Sequence, residues 1–238
     1  MQDEERTVTH KPSLRERTEN FWYHYKWHTL VSIGVIFAIV ICTFQMCSKE
    51  SFDTHVLYAG GYGISRTVED DTAEYTKFLS SLGRVVKDTN GDGEVNPSFL
   101  DLFIPSSDEM KENENDLYAL MSDNANRLEY ELVFGTDYYV CFLSVYNYEQ
   151  YREWDGLKLF RPIEEYAPDG DGLKYYDECA VYLSSTPFGK TDGFKNLPED
   201  TLVCIRIKTA SSSLFDRSGN EEKYAVSEEL LRSILAYN

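Results

Sequence analysis

Asp88, Asn90, Asp92, Glu94 and Asn96 alternate along one short stretch, Asp-Thr-Asn-Gly-Asp-Gly-Glu-Val-Asn. Oxygens spaced in this way around a tight turn are what a hard cation needs. With Asp88 as position 1, oxygen-bearing side chains fall at positions 1, 3 and 5, and Gly93 at position 6 permits the sharp turn. Glu94 at position 7 offers its carbonyl, Val95 is the apolar anchor, and Asn96 at position 9 supplies a further polar group. Ca2+ is the ion these oxygens suit. The bidentate acid wanted at position 12 is replaced by Phe99, so a last ligand would have to come from elsewhere in the chain. The competing reading is a turn between helix and strand whose Asx side chains bond their own backbone without any ion.

A second set of residues is aromatic. Tyr62, Tyr146, Tyr148 and Trp154 follow the ends of expected strands, where open α/β sheets hold their ligands, and their rings suit stacking on a sugar or peptide. The alternative is that Tyr151 and Trp154 are the buried face of a short helix. Gly60, Gly61 and Gly63 lack dinucleotide spacing and read as a tight strand-to-helix turn, and Asp169-Gly-Asp171-Gly172 reads as a surface turn. Catalytic inventory is thin: after residue 47 the only histidine is His55, and H-E-x-x-H, G-x-S-x-G and S-x-x-K are all absent. A carboxylate-pair hydrolase stays open, because the abundant acids permit any number of pairs.

These residues need elements to hold them. His55 to Ala59 (HVLYA) is an apolar run, and Thr67 to Val86 carries helix periodicity through Tyr75, Phe78, Leu79, Leu82, Val85 and Val86. Phe99 to Ile104 reads as a strand closed by Pro105, and Glu109 to Leu128 as a second helix. Tyr138 to Ser144 (YYVCFLS) is a strand of the kind buried on both faces of a parallel sheet. A short helix around Tyr148 to Trp154 follows, then strands at Ala180 to Ser184 and Leu202 to Ile207. The last helix is expected to open with Ser227 as N-cap and to bury Leu230, Leu231, Ile234 and Leu235. The β-α-β-α-β order predicts an α/β fold, a largely parallel sheet with flanking helices, preceded by one N-terminal transmembrane helix.

That helix is expected from Thr29 to Met46 (TLVSIGVIFAIVICTFQM), uncharged and about 27 Å long at about 1.5 Å per residue. Phe21, Trp22, Tyr23, Tyr25 and Trp27 suit the headgroup layer beside it. Arg6, Lys11, Arg15, Arg17 and Lys26 precede the span and only Lys49 and Arg66 follow closely, which places the amino terminus in the cytoplasm. The expected organisation is a cytoplasmic segment 1–28, a transmembrane helix 29–47 acting as an uncleaved signal anchor, a spacer 48–53 and an extracytoplasmic α/β domain 54–238. A cleaved signal peptide is the rival, opposed by the long basic lead and the lack of a small-x-small site.

Of 41 acids and 23 bases, five of each precede the span, leaving 36 against 18 beyond it. Such a field opposes nucleic acid and favours cations or basic partners, although a surface kept soluble by charge is the simpler and preferred explanation. Cys141, Cys179 and Cys204 lie in apolar runs without CxxC spacing and read as small buried hydrophobes, with one disulfide among them left open.

Over Asp88 to Asn96 the loop resembles the front half of EF-hand and dockerin calcium loops. YHYKWHTLVSIGVIF (23–37), HVLYAGGY (55–62), DTNGDGEV (88–95), LEYELVFGTDYYVCFLS (128–144) and PEDTLVCIR (198–206) resemble a group of uncharacterised single-span extracytoplasmic proteins of Gram-positive bacteria, a resemblance that brings no activity. A helix followed by Gly135-Thr-Asp137 and an apolar strand is similar, at the level of fold, to a lobe of extracellular solute-binding proteins. The expectation is a non-enzymatic, single-pass cell-membrane protein whose extracellular domain binds a small solute or peptide. The alternative is a structural or interaction protein of a cell-surface complex, and a membrane-tethered hydrolase ranks behind both.

Overall fold

The computed structural model describes residues 13–47, 52–64, 72–107, 117–167, 172–208 and 217–236. The chain divides into two units, Met1–Glu50 and Ser51–Asn238. The described part of the first is one helix, α1 (Leu14–Cys47), whose Arg17–Thr43 stretch is long and apolar enough to cross a membrane. It begins well before the expected span. Its polar first turns are helical in their own right, with Arg17 N–H bonded to Ser13 C=O and an Arg15–Glu19 pair at i,i+4.

The second unit is built on β1 (Thr54–Gly60), α2 (Thr72–Gly83), β2 (Pro97–Phe103), α3 (Leu117–Val133), β3 (Val140–Ser144) and α4 (Val145–Tyr151). A two-residue hairpin, β4 (Glu153–Trp154) with β5 (Leu157–Lys158), precedes β6 (Ala180–Tyr182), β7 (Thr201–Ile205) and α5 (Arg217–Leu235). The main sheet runs β2-β1-β3-β7-β6. Val56 of β1 lies between Phe99 and Val140 in parallel register, whereas Cys204 of antiparallel β7 faces Cys141 on one side and Ala180 on the other. The sheet is thus mixed, with its parallel pairs at β2, β1 and β3.

Alternation along the central strands divides the core. Val56, Tyr58, Val140, Phe142, Val203 and Ile205 pack on one face beneath Phe78 and Leu82 of α2 and Leu231 and Ile234 of α5. Leu57, Ala59, Cys141, Leu143, Leu202 and Cys204 pack on the other beneath Leu128 and Leu132 of α3 and Tyr148 and Tyr151 of α4. Because β1 and β3 are covered on both faces, they read as unbroken apolar runs in the sequence.

Two expectations need correction, and others fall partly outside the described residues. The first two helices are described from Thr72 and Leu117, the residues before each lying outside the described ones, as do 168–171 of the acidic turn. α4 starts at Val145, not near Tyr148, because Ser144 caps it by accepting the Asn147 N–H at 3.3 Å. Ser227 is no N-cap: it is buried within α5, and its hydroxyl donates to the Lys223 carbonyl at 2.8 Å. Cys141, Cys179 and Cys204 are buried free thiols.

Arg206 follows β7 and is fully buried. Its guanidinium donates to Tyr138 O at 3.3 Å, Leu132 O at 3.2 Å and Gly135 O at 2.6 Å, so it satisfies a carbonyl in the last turn of α3 and two in the segment leading into β3. It also lies over the Tyr139 ring, 4.8 Å from its centroid.

Candidate functional site

The 88–96 segment joins α2 to β2, and its side-chain oxygens are engaged by its own amides. Asp88 accepts the Gly91 N–H at 2.6 Å and the Gly93 N–H at 2.9 Å; Asn90 accepts from Asp92 N–H at 2.8 Å, and Asp92 from Glu94 N–H at 2.9 Å. Gly91 and Gly93 have φ of 74° and 85°, a left-handed backbone that glycine adopts without strain. Each of these oxygens keeps a further lone pair, so the donor set of Asp88, Asn90 and Asp92 fits a hard cation. Glu94 and Asn96 are exposed. Phe99, at the twelfth position, turns its ring onto Phe78, 4.2 Å between centroids, and supplies nothing to an ion. Among the described residues, no three His, Cys, Asp or Glu side chains group as metal ligands.

Asp53 holds this loop in place. Buried just before β1, it accepts hydrogen bonds from Thr89 N–H (2.7 Å), Thr89 Oγ1 (3.1 Å) and Asn90 N–H (3.3 Å) on one oxygen, and from Asn96 N–H (2.7 Å) on the other. Burial works to raise its pKa, but the bonds from Asn96, Thr89 and Asn90 outweigh it and hold the carboxyl below its ordinary value. A lone acid ahead of the first strand gave no sequence signal for this role.

The four aromatic candidates do not converge. Tyr62 lines a cavity of about 380 Å³ with Ile64, Lys77 and the 192–197 segment, where the chain leaves β1. Tyr146 is exposed in the first turn of α4, and Trp154 stacks on Tyr151 at 6.3 Å. Tyr148 is buried and lines a second cavity, of about 370 Å³, on the α4 side of the sheet.

This second space, the flank cavity, is assembled from three segments. α4 carries Tyr148 and is capped by Arg152, after which Asp155 (φ 49°) and Gly156 (φ 75°) form the two-residue, positive-φ turn typical of tight hairpins. That turn sets Lys158 opposite Glu153, and both line the cavity. Asp177, Glu178 and Cys179 close it ahead of β6. Phe160 forms part of the wall and stacks on Tyr148 at 5.1 Å and 29°.

The polar groups are fixed from beneath. The Tyr148 hydroxyl donates to the Asp177 carboxylate, 3.0 and 2.9 Å from its two oxygens, and Cys179 N–H donates to it at 2.8 Å. Burial, followed by the neighbouring Cys204 and the bond to Asp177, pushes the Tyr148 pKa far above its ordinary value, so the phenol remains a donor. Burial also pushes the Cys179 thiol up to about 11, which makes it a poor nucleophile. Arg152 reaches Glu149 at 3.2 Å and Asp177 at 4.0 Å. Lys158 pairs with Glu178; their hydrogen bond raises the pKa of the lysine and lowers that of the glutamate. Tyr176 bonds Glu149 at 2.8 Å, and that bond takes its phenol up to about 12. Arg152, Lys158, Asp177 and Glu178 were not foreseen, although Asp155-Gly156 between short strands was a readable hairpin signal.

The cavity beside Tyr62 is built differently. Its Lys195–Asp192 pair, at 2.7 Å, joins residues three apart on an exposed turn, and Lys77 is likewise exposed. Comparison with protein families, curated proteins and solved structures found no match.

Proposed function

We propose that this protein is a non-enzymatic, membrane-anchored binding module, with α1 as its single span, its amino terminus cytoplasmic and its α/β domain extracellular, taking a small solute in the flank cavity. One observation carries the choice of site: Asp177 is held by a buried phenol and a backbone amide within 4.0 Å of Arg152, so charged groups meet the cavity already oriented. Preorganised groups spare a ligand the cost of ordering them. Clusters of perturbed titratable groups in a concavity are also a mark of binding sites. The reading extends to the 88–96 loop, to which it gives Ca2+ as a structural ion held by Asp88, Asn90, Asp92 and the Glu94 carbonyl. Without the twelfth-position acid, its affinity belongs in the range of about 10⁻⁴–10⁻³ M found for extracellular modules.

The test is a thermal melt of the full chain in nanodiscs against a panel of amino acids, sugars and small carboxylates. A solute present at about 100 times its Kd adds about 2.7 kcal/mol, a rise of roughly 5–10 °C for a domain of this size. The rise is expected to shrink by about half or more in Lys158→Gln. A rise unchanged in that variant would place the ligand elsewhere.

A further inference from the structure

We infer that the occupant of the flank cavity is a free α-amino acid with an apolar side chain, its carboxylate on Arg152 and Lys158 and its ammonium on Asp177 and Glu178; this rests on the flank cavity being the binding site. Three observations carry it. The first is mixed charge: beyond the span acids outnumber bases two to one, yet this cavity sets two bases among three acids, whereas the cavity beside Tyr62 has two bases and a single acid. A free anion would meet the surrounding negative field, and a simple cation would leave both bases without a new partner. A zwitterion satisfies both signs and changes the net charge not at all.

The second is spacing. Arg152 and Asp177 stand 4.0 Å apart, close enough for one small molecule to bridge them with two opposite charges borne on a single carbon. A peptide separates its termini by whole residues, so the free amino acid is the better fit. Lys158 and Glu178 lie at the mouth, their side chains 71% and 61% exposed. Exposed pairs of this kind contribute little to stability, so a ligand can open this one and insert its own charges at small cost.

The third is the wall. Tyr148 and Phe160, stacked on one another, line it with Cys179 beside them, and Tyr176 supports Tyr148 edge-on from outside the lining at 5.7 Å. That surface offers no further charge and suits an aliphatic or aromatic side chain.

The experiment is isothermal titration of the full chain in nanodiscs with L-leucine and L-phenylalanine, alongside N-acetyl-phenylalanine, phenylalaninamide and glucose. Binding of the free amino acids is expected, with at least tenfold weaker binding of each derivative lacking one charge. Arg152→Gln and Lys158→Gln should each weaken the amino acids at least tenfold. Both side chains are substantially exposed, so the variants should keep the wild-type melting temperature without ligand. If glucose or a blocked derivative binds as well as the amino acids do, and Arg152→Gln still abolishes binding, the zwitterion assignment fails while the cavity reading survives. If the amino acids bind and neither variant weakens them, or if no probe binds, both fail.

Discussion

Replacing Asp53 by Asn would remove a single charge while preserving size, and the geometry fixes where the damage falls. One carboxylate oxygen serves Thr89 and Asn90, and the other serves the Asn96 N–H at 2.7 Å. The asparagine oxygen can satisfy only one of these groups, and its NH2 then faces a backbone donor. Losing a hydrogen bond to a charged acceptor costs about 1.5–3 kcal/mol, and a stranded buried amide costs about 1–3 kcal/mol. Relief from burying the carboxylate offsets part of this, so the net loss should be about 2–3 kcal/mol, or a fall of about 5–10 °C in Tm. A second signature lies in the pH dependence. Since the folded pKa is lowered, the stabilisation from Asp53 is present above its ordinary value of 3.8 and is lost as pH falls through the folded value. Thermal melts by circular dichroism between pH 7 and pH 3 should show that contribution in the wild type and not in Asp53→Asn. A change below about 0.5 kcal/mol, the usual scale of an inconsequential surface substitution, would refute the claim that Asp53 fastens the loop.

Other expectations follow from the same structure. Arg206→Met should cost at least about 2 kcal/mol in a denaturant melt, because three carbonyls, one in the last turn of α3 and two in the segment joining it to β3, lose their donor even as a guanidinium is spared burial. His55 has its pKa lowered from 6.5 by burial, with Asp137 opposing and Lys223 assisting. Its unfolded form therefore binds the proton first, and the protein should lose stability as pH falls from 6.5 toward the lowered folded value, a slope that His55→Phe should flatten. Millimolar Ca2+ should raise Tm relative to chelator, and the rise should vanish in Asp88→Ala/Asp92→Ala; equal melts would leave the loop an Asx turn and nothing more. Tyr148→Phe, which strips the Asp177 carboxylate of its phenol donor, should weaken solute binding several-fold and cost about 1.5–3 kcal/mol of stability without ligand, a fall of roughly 3–10 °C in Tm.

The strands were legible where burial on both faces leaves no ambiguity: β1 and β3 are unbroken apolar runs, and their burial is complete but for His55. Strand direction was not legible. Leu202 to Ile207 looks alike in either sense, and only the path of the chain between β6 and β7 turns β7 antiparallel to β3. Ser227 followed by two glutamates mimicked a helix start, yet Tyr224 is already buried one turn earlier, so the amphipathic pattern was running before the cap-like residue. Loop 88–96 was readable because its residues are adjacent in sequence. Its fastening by Asp53 was not, since the two lie some 36 residues apart and meet only once β1 and β2 pair. The flank cavity has the same character. Arg152 and Asp177 have no sequence relation, and the polar role of Tyr148 depends on an acid supplied by a different segment.

Hydrogen exchange followed by mass spectrometry, on the full chain in nanodiscs with and without saturating L-phenylalanine, tests the central claim most directly. Slower exchange confined to peptides spanning 148–160 and 176–179 is the predicted result. Protection that appears instead at 62–64 and 192–197, leaving the first two segments unchanged, would contradict the assignment and move the ligand to the cavity beside Tyr62.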